Sequence, residues 1–206
     1  MVRTFAGRLR RSGRVGLLPG AYNPPTMAHL ALAEEAQRRF RLDQVVQVLP
    51  RSLPHKCITR PTLEERSEWI AALARQRPGW AACSCAAGLV VDMVDALRDE
   101  LGGACELFVI AGRDAAERYA SWDYGGREPF GDQLARFCLL VGSRGGPYRV
   151  APGHAGRILP FEMAAEHDTT SSLLVRSAIA RGSSWRHLVP PEIHAAVAAA
   201  YAGRAP

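Results

Sequence analysis

The sequence predicts an α/β protein in which helices cover both faces of a parallel sheet. Short apolar runs alternate along the 206-residue chain with longer segments whose apolar residues recur at helical spacing. Strands that alternate with helices in this way favour a parallel, doubly wound sheet. No internal repeat and no linker-like stretch interrupts the alternation, so we predict a single domain over residues 1–206, with a basic N-terminal extension over about residues 1–14.

Six apolar runs are predicted as strands because they are short enough to be buried in a parallel sheet. They cover residues 15–18, 45–49, 80–86, 107–111, 137–141 and 157–161. Helical spacing predicts helices over residues 30–40, 62–75 and 90–101, and then two C-terminal helices from residue 171 onwards, separated by residues 182–191. Thr62 and Glu65 match a capping box at the start of the second helix, and Gly102 follows the end of the third.

The first fourteen residues contain several arginines and no acid, a composition that targeting segments also show. The first predicted strand follows directly, however, and no apolar signal core intervenes. We therefore expect a frayed, basic start to a cytoplasmic protein. No apolar run approaches the ~20 residues that a transmembrane helix needs, so we expect no membrane partner.

The formal net charge is +6, and Lys56 is the only lysine among the basic residues. The arginines are scattered rather than gathered in a stripe with aromatic residues, so phosphate-bearing small molecules are favoured over nucleic acid as partners. The five cysteines form no C-x-x-C pair and show no zinc-ligand spacing. This pattern favours free thiols in a reducing compartment and predicts no metal site in the protein.

Residues 20–30, G-A-Y-N-P-P-T-M-A-H-L, form a turn between the first predicted strand and the first predicted helix. A helix N-terminus presents unpaired N–H groups and a partial positive charge to anions. With the Thr26 hydroxyl and the His29 imidazole beside it, the turn is a candidate phosphate site; an ordinary strand-to-helix turn with an incidental histidine is the alternative. The absence of G-x-x-x-x-G-K-[ST] excludes a P-loop, and the absence of G-x-G-x-x-G argues against a dinucleotide-type grip.

The turn resembles the signature of the nucleotidylyltransferase superfamily, G-x-[FY]-[DN]-P-x-[HT]-x-G-H. The residues that match in order and spacing are Gly20, Tyr22, Asn23, Pro24, Thr26 and His29. Ala28 departs from the pattern, since most relatives have glycine there, and alanine leaves the backbone less free to approach a phosphate. The resemblance implies a Rossmann-like nucleotidylyltransferase fold with C-terminal helices.

Three further segments resemble the nicotinate/nicotinamide mononucleotide adenylyltransferase branch of this superfamily. Residues 49–56, L-P-R-S-L-P-H-K, are similar to its proline-rich loop, in which Lys56 would neutralise phosphate oxygens. Gly112 and Asp114, followed by Trp122, resemble its G-x-D…W element. Asp114 suits a hydrogen bond to a ribose or to a partner at the phosphate site. Trp122 would offer its ring as a stacking surface for the pyridine ring. An ordinary surface position for Lys56 and an ordinary core position for Trp122 are the alternatives.

Residues 170–176, T-S-S-L-L-V-R, resemble the I-S-S-T-x-I-R element of the same branch. Ser171 and Ser172 would cap the helix and donate to ATP phosphates, and Arg176 would reach the β- or γ-phosphate with its guanidinium. Leu173 replaces the usual threonine and removes one hydroxyl donor. A plain capped helix is the alternative interpretation.

The resemblance implies an enzyme that transfers AMP from ATP to nicotinate or nicotinamide mononucleotide by in-line displacement and releases pyrophosphate, a step of NAD biosynthesis. Mg²⁺ would arrive with the triphosphate and would have few direct protein ligands. The implied catalytic residues are His29, Thr26 and Arg176. The implied ATP- and substrate-binding residues are Gly20, Ala21, Tyr22, Asn23, Lys56, Gly112, Asp114, Trp122, Arg144, Ser171 and Ser172.

The sequence leaves the pyridine base and the exact activity open. Residues 88–93 lack the Ser-Tyr-Thr turn of nicotinate-specific enzymes, and the nearby Asp92 can accept a hydrogen bond from a nicotinamide amide. Another superfamily member, such as a pantetheine-phosphate adenylyltransferase or a cytidylyltransferase, is an alternative function. A non-catalytic nucleotide- or nucleic-acid-binding protein is a second alternative. A homo-oligomer is compatible with the sequence, which does not settle the oligomeric state.

Overall fold

The computed structural model of the chain describes residues 1–54, 57–143, 146–165 and 169–202. Its strands are β1 Val2–Ala6, β2 Gly13–Pro19, β3 Gln44–Pro50, β4 Trp80–Cys85, β5 Cys105–Gly112, β6 Cys138–Ser143 and β7 Ile158–Glu162. Across the described residues these seven strands form one sheet in the order β1-β4-β3-β2-β5-β6-β7. The β1–β4 pair is antiparallel, and the other adjacent pairs are parallel.

Helices cover both faces of this sheet, which confirms the predicted doubly wound α/β fold. They are α1 Met27–Arg39, α2 Leu63–Arg75, α3 Val90–Leu101, α4 Arg113–Ser121, α5 Phe130–Gln133, α6 Ser172–Ala180 and α7 His194–Tyr201. Neighbouring residues of β2 show the two layers. Leu17 packs in the core that contains the buried residues of α3. Leu18 packs in the core that contains buried residues of α1 and α2. A third core joins α7 to Trp69 of α2 and Leu30 of α1.

The six predicted strands are all present, and α3 has the bounds that its apolar spacing predicts. The capping box of α2 is confirmed at atomic level. The Thr62 backbone N–H donates to Glu65 Oε2 at 2.6 Å, and the Glu65 backbone N–H donates to Thr62 Oγ1 at 3.1 Å. Two N–H groups at the helix start, which have no partner within the helix, are satisfied reciprocally in this way.

The start of the chain is ordered, so the prediction of a frayed start was wrong. Residues of β1 pair antiparallel with β4, and Val2 lies opposite Cys85. The Gln44 side chain fixes the next stretch, since it accepts from the Arg10 backbone N–H at 2.9 Å and donates to the Arg8 carbonyl at 2.8 Å. The outer edge of β4 needs hydrogen-bond partners, and β1 supplies them although its own sequence is short and half polar.

The sequence pattern also missed α4, which follows β5 directly. Ala116 is the one residue of α4 that is buried, so almost no apolar periodicity marks the helix. It brings the residues after Gly112 to the carboxyl end of the sheet.

The strand order places a topological switch point between β2 and β5. From β2 the chain crosses to β3 and β4 on one side, and then returns to β5 on the other side of β2. In open α/β sheets, ligands bind in the crevice outside the carboxyl ends of strands at such a point. The turn after β2 and the turn after β5 therefore share one crevice.

Candidate active site

We call residues 20–26, which join β2 to α1, the signature loop. Within it the Tyr22 ring lies against Gly20, where an added Cβ would come within 2.9 Å of Tyr22 Cζ. Tyr22 is 1% exposed, and its hydroxyl donates to the Leu18 carbonyl at 2.5 Å. Burial raises the pKa of Tyr22 well above its ordinary value, so the hydroxyl remains a donor. The first glycine of the signature is thus required by packing inside the loop itself.

Side chains from the C-terminal helices hold the acceptor groups of the signature loop. Arg176 Nη1 donates to the Asn23 carbonyl at 2.6 Å, and the Ser172 hydroxyl donates to the Pro24 carbonyl at 2.7 Å. The Tyr201 hydroxyl of α7 donates to the Asn23 side-chain oxygen. The shape of the loop therefore depends on residues near the end of the chain.

A buried arginine of α2 holds the loop from the other side. Arg66 is 4% exposed, and its Nη1 donates to the Ala21 carbonyl at 2.9 Å, while its Nε donates to the Thr62 carbonyl at 3.3 Å. Burial lowers the pKa of Arg66 from its ordinary value, but a guanidinium still remains charged at neutral pH. Arg66 thus ties the capped start of α2 to the signature loop.

The Thr26–His29 pair lies at the N-terminus of α1, as the motif predicts. Thr26 is the N-cap and is fully buried. Its backbone N–H donates to His29 Nδ1 at 3.1 Å, and its hydroxyl lies 2.7 Å from the same nitrogen. A ring nitrogen that accepts from an N–H carries no proton, so the neutral imidazole has its proton on Nε2. The pair therefore fixes the tautomer in which Nε2 is the donor.

Two adjoining cavities open at this crevice. The first has a volume of about 230 Å³ and is lined mainly by apolar and aromatic side chains, among them Leu53, Leu89, Met93, Tyr119, Trp122 and Tyr124. The second has a volume of about 400 Å³ and carries more polar groups, among them Thr26, Asp114, Ser171 and Arg176. The residues that line both cavities are Pro19, His29, Ala115, Arg118 and Ser172.

Most of the residues implied by the resemblance lie in these two cavities. The second cavity brings together Thr26, His29, Gly112, Asp114, Ser171, Ser172 and Arg176. The first contains Gly20, Ala21, Tyr22 and Trp122. Asn23 lines neither cavity within the described residues, because Arg176 and Tyr201 hold its carbonyl and its side chain. Lys56 and Arg144 lie outside the residues that the structure describes.

The two serines at the start of α6 have different roles. Ser171 is the N-cap, and its side chain accepts from the Leu174 backbone N–H at 3.1 Å. The Ser172 hydroxyl donates to Pro24, so it braces the signature loop rather than offering its proton to a phosphate. The donors that α6 presents to the second cavity are therefore its first backbone N–H groups and Arg176.

Asp92, which the sequence left open as an acceptor for a nicotinamide amide, pairs with an arginine instead. Both carboxylate oxygens of Asp92 accept from Arg127, at 3.0 and 2.5 Å, and Asp92 lines neither cavity in the described part of the chain. The first cavity instead faces the start of α3, where Leu89 is an N-cap without a side-chain hydrogen bond. Sequence spacing alone did not show this ion pair, because Arg127 lies on a distant loop.

Other functional candidates were missed at the sequence level. Arg118, Tyr119 and Tyr124 line the first cavity, and the Tyr124 hydroxyl donates to the Tyr119 carbonyl at 3.0 Å. The aromatic residues on either side of Trp122 were a usable signal for the two tyrosines. Arg118 resembles any other arginine of this arginine-rich chain.

Neither a metal cluster nor a membrane span is found in the described residues. No group of three or more His, Cys, Asp and Glu side chains that could hold a metal ion occurs in residues 1–54, 57–143, 146–165 and 169–202. Within the same ranges, no helix has the length and apolar character needed to cross a membrane.

Similar proteins match this chain over most of its length. A curated protein of Dictyoglomus thermophilum, named a probable nicotinate-nucleotide adenylyltransferase, is 26% identical over 201 residues, covering 87% of this chain and 94% of the relative. A Synechococcus protein of the same name is 28% identical over 196 residues, covering 87% of this chain and 89% of its own. The structure of Plasmodium falciparum nicotinic acid mononucleotide adenylyltransferase complexed with NaAD matches with a TM-score of 0.70 at 12% identity, over 92% of this chain and 97% of that one.

The part of the chain that matches a known family contains the signature loop, α2, α3 and the Gly112–Trp122 segment. The sequence profile described as cytidylyltransferase-like matches residues 17–127, which is more than half of the chain. This agrees with the nucleotidylyltransferase resemblance of the motifs. The chain belongs to the cytidylyltransferase-like family.

Proposed function

We propose that this protein is a nicotinate-nucleotide adenylyltransferase, which transfers AMP from ATP to nicotinate mononucleotide, releases pyrophosphate, and so acts in NAD biosynthesis. The main support is that His29 and Arg176, far apart along the chain, line the same cavity, and that this cavity joins an aromatic one at His29. The relatives that match over most of the chain carry this name. The two cavities correspond to two substrates that must meet at their phosphates.

The reaction needs alignment and charge stabilisation rather than a covalent enzyme intermediate. A phosphate oxygen of the mononucleotide forms a bond to the α-phosphorus of ATP, and the bond from that phosphorus to the α,β-bridging oxygen breaks. Pyrophosphate leaves with the electron pair of that bond. Enzymes of this kind act by holding the two reactants in line and by stabilising the charge on the transferring group.

His29 is placed to stabilise the α-phosphate. The Thr26 backbone N–H donates to His29 Nδ1, which therefore carries no proton, so His29 Nε2–H is the donor at the junction of the cavities. We assign Nε2–H to a non-bridging oxygen of the α-phosphate, and Thr26 to fixing the imidazole tautomer. Arg176 and the first N–H groups of α6 then suit the β- and γ-phosphates of the leaving group.

The aromatic cavity suits the pyridine mononucleotide. Trp122, at the end of α4, offers a stacking surface for the pyridine ring, with Tyr119 and Tyr124 beside it. Leu89 and Val90 bring the N-terminus of α3 to the same cavity, and the N-cap residue Leu89 has no side-chain cap hydrogen bond. Uncapped N–H groups and the helix dipole favour a carboxylate, so this end of the cavity suits nicotinate better than nicotinamide.

We propose that Mg²⁺ enters with ATP and is held mainly by phosphate oxygens. Asp114 is the one carboxylate that lines the second cavity among the described residues. A single carboxylate fits a cation that keeps most of its ligands from phosphates and water. When bound, the metal neutralises triphosphate charge; the chain contributes Asp114 to its surroundings.

The test is a side-by-side rate comparison with purified protein. ATP is offered with nicotinate mononucleotide, nicotinamide mononucleotide or phosphopantetheine, and both pyrophosphate and the dinucleotide product are measured. We expect turnover with nicotinate mononucleotide at least about tenfold faster than with nicotinamide mononucleotide, a difference of about 1.4 kcal/mol in transition-state binding. Preference for phosphopantetheine, or tight salt-sensitive oligonucleotide binding without ATP turnover, would contradict the proposal.

A further inference from the structure

Arg118 of α4 lies where the two cavities meet. We propose that Arg118 is a further catalytic residue, whose guanidinium binds phosphate oxygens of both substrates at the junction of the cavities. This inference rests on the proposed adenylyl transfer and adds a residue that the signature motifs do not contain. It also predicts which step of the reaction depends on that residue.

The first observation is the composition of the junction. Five residues line both cavities, and His29 and Arg118 are the two among them whose side chains can carry positive charge. The third polar side chain there, Ser172, already donates its hydroxyl proton to the Pro24 carbonyl. Arg118 is therefore the one permanent positive charge among the described residues that border both ligand spaces.

The second observation is that the described part of the chain does not use the Arg118 guanidinium to hold the fold. Arg118 is exposed, and in the described ranges of the chain no hydrogen bond and no ion pair within 4.0 Å involves its side chain. The two other arginines around the signature loop each use one guanidinium nitrogen on that loop, Arg66 Nη1 on the Ala21 carbonyl and Arg176 Nη1 on the Asn23 carbonyl.

The charges that face Arg118 support the same assignment. Asp114 lies one helical turn earlier on α4 and is the carboxylate of the second cavity, yet it forms no ion pair with Arg118 among the described contacts. Tyr119 is the next residue and lines the first cavity. Arg118 is thus placed between a triphosphate space and a mononucleotide space, and no carboxylate among the described residues forms an ion pair with it.

The chemistry explains why this position is important. Before the new P–O bond forms, the phosphate of the mononucleotide must approach the α-phosphate of ATP, and both groups are negatively charged. A guanidinium between them offsets that repulsion and presents several N–H donors in one plane. Its largest effect is expected in the complex with both substrates and in the transition state, where the two phosphates are closest.

The test compares Arg118→Gln and Arg118→Lys with the wild-type protein. Arg38→Gln is the matched control, because it removes the same charge from the exposed, far end of α1. We expect Arg118→Gln to lower kcat with both substrates saturating by about tenfold to a hundredfold, and Arg118→Lys to recover part of that loss. Arg38→Gln should stay within about twofold of wild type, as is usual for an exposed surface charge.

Binding measurements separate a junction role from binding of one substrate. The affinity for nicotinate mononucleotide is measured alone and in the presence of a non-hydrolysable ATP analogue. We expect Arg118→Gln to weaken binding several-fold more when the analogue is present than when it is absent. Unchanged kcat, or an equal loss of affinity with and without the analogue, would overturn the proposal. If the wild-type protein does not turn over these substrates, the proposed function itself fails, and this outcome is distinct from the other two.

Discussion

Two glutamines of β3 should respond to the same substitution in opposite directions. Gln47 is fully buried in the middle of the strand, in register with Leu18 of β2 and Ala82 of β4. Within the described residues, neither its amide nitrogen nor its amide oxygen has a hydrogen-bond partner. Gln44 is 3% exposed, but both ends of its amide bond the backbone, at Arg10 and Arg8. The strand therefore offers a matched pair of satisfied and unsatisfied amides.

The expected magnitude follows from these contacts. Methionine has nearly the volume and side-chain flexibility of glutamine, so Gln47→Met removes an unsatisfied buried amide without leaving a cavity. Removing that desolvation cost should raise the free energy of unfolding by about 1–3 kcal/mol. Gln44→Met loses two hydrogen bonds and should lower it by about 1–2 kcal/mol. For a chain of this size, each kcal/mol corresponds to a shift of about 2–4 °C in Tm.

Urea unfolding followed by circular dichroism measures both free energies, and thermal unfolding gives the two Tm shifts. The m-values should agree with wild type, since neither substitution changes the surface that unfolding exposes. A fall of about 1 kcal/mol or more in the free energy of unfolding of Gln47→Met, like the fall expected for Gln44→Met, would refute the reasoning. It would mean that a buried water satisfies the Gln47 amide in solution.

Three further outcomes are expected. Replacing His29 by alanine should lower turnover by about a hundredfold or more, because it removes one charge-stabilising donor; near-normal turnover would remove His29 from the mechanism. Tyr201→Phe deletes the donor to the Asn23 side chain, and the resulting misplacement of the signature loop should lower kcat in steady-state assays by about threefold to thirtyfold. Tyr148→Phe is the control and should leave kcat unchanged. Burial raises the pKa of Cys83 to about 12, so the folded state binds that proton more tightly than the unfolded chain. Stability should then fall as the pH rises from about 8.5 towards 12, and urea unfolding at pH 7 to 10.5 should show a smaller fall in Cys83→Ala; an equal fall would contradict the assignment.

The parts of the fold that the sequence predicted are those with a strong periodic signal. The central strands are buried on both faces, so they read as continuous apolar runs, and α3 keeps an apolar stripe along its whole length. The strand β1 and the helix α4 lack such a signal. The first is ordered by the open edge of β4, and the second buries only Ala116, so both depend on tertiary contacts that no local pattern shows.

The candidate site likewise has a part that the sequence predicted and a part that it did not. The short motifs predicted that Thr26, His29 and Arg176 would share a crevice, and they line one cavity. The hydrogen bond from Arg176 to the Asn23 carbonyl could not be predicted, because the two residues lie 153 positions apart along the chain. Asp92 shows the converse case, since its local position left a ligand role open, whereas both of its carboxylate oxygens accept from the distant Arg127.

The two glycines of the motifs illustrate why a matching residue needs a physical reason of its own. Gly20 is required by the fold, since the Tyr22 ring leaves no space for a Cβ. Gly112 has an ordinary φ of −74°, and an added Cβ would meet no described atom within 4 Å. Nothing inside the described protein therefore requires glycine at position 112, which borders the second cavity at the end of β5. Glycine at position 112 leaves room for a nucleotide to approach the backbone closely, which is what the proposed function needs at this crevice.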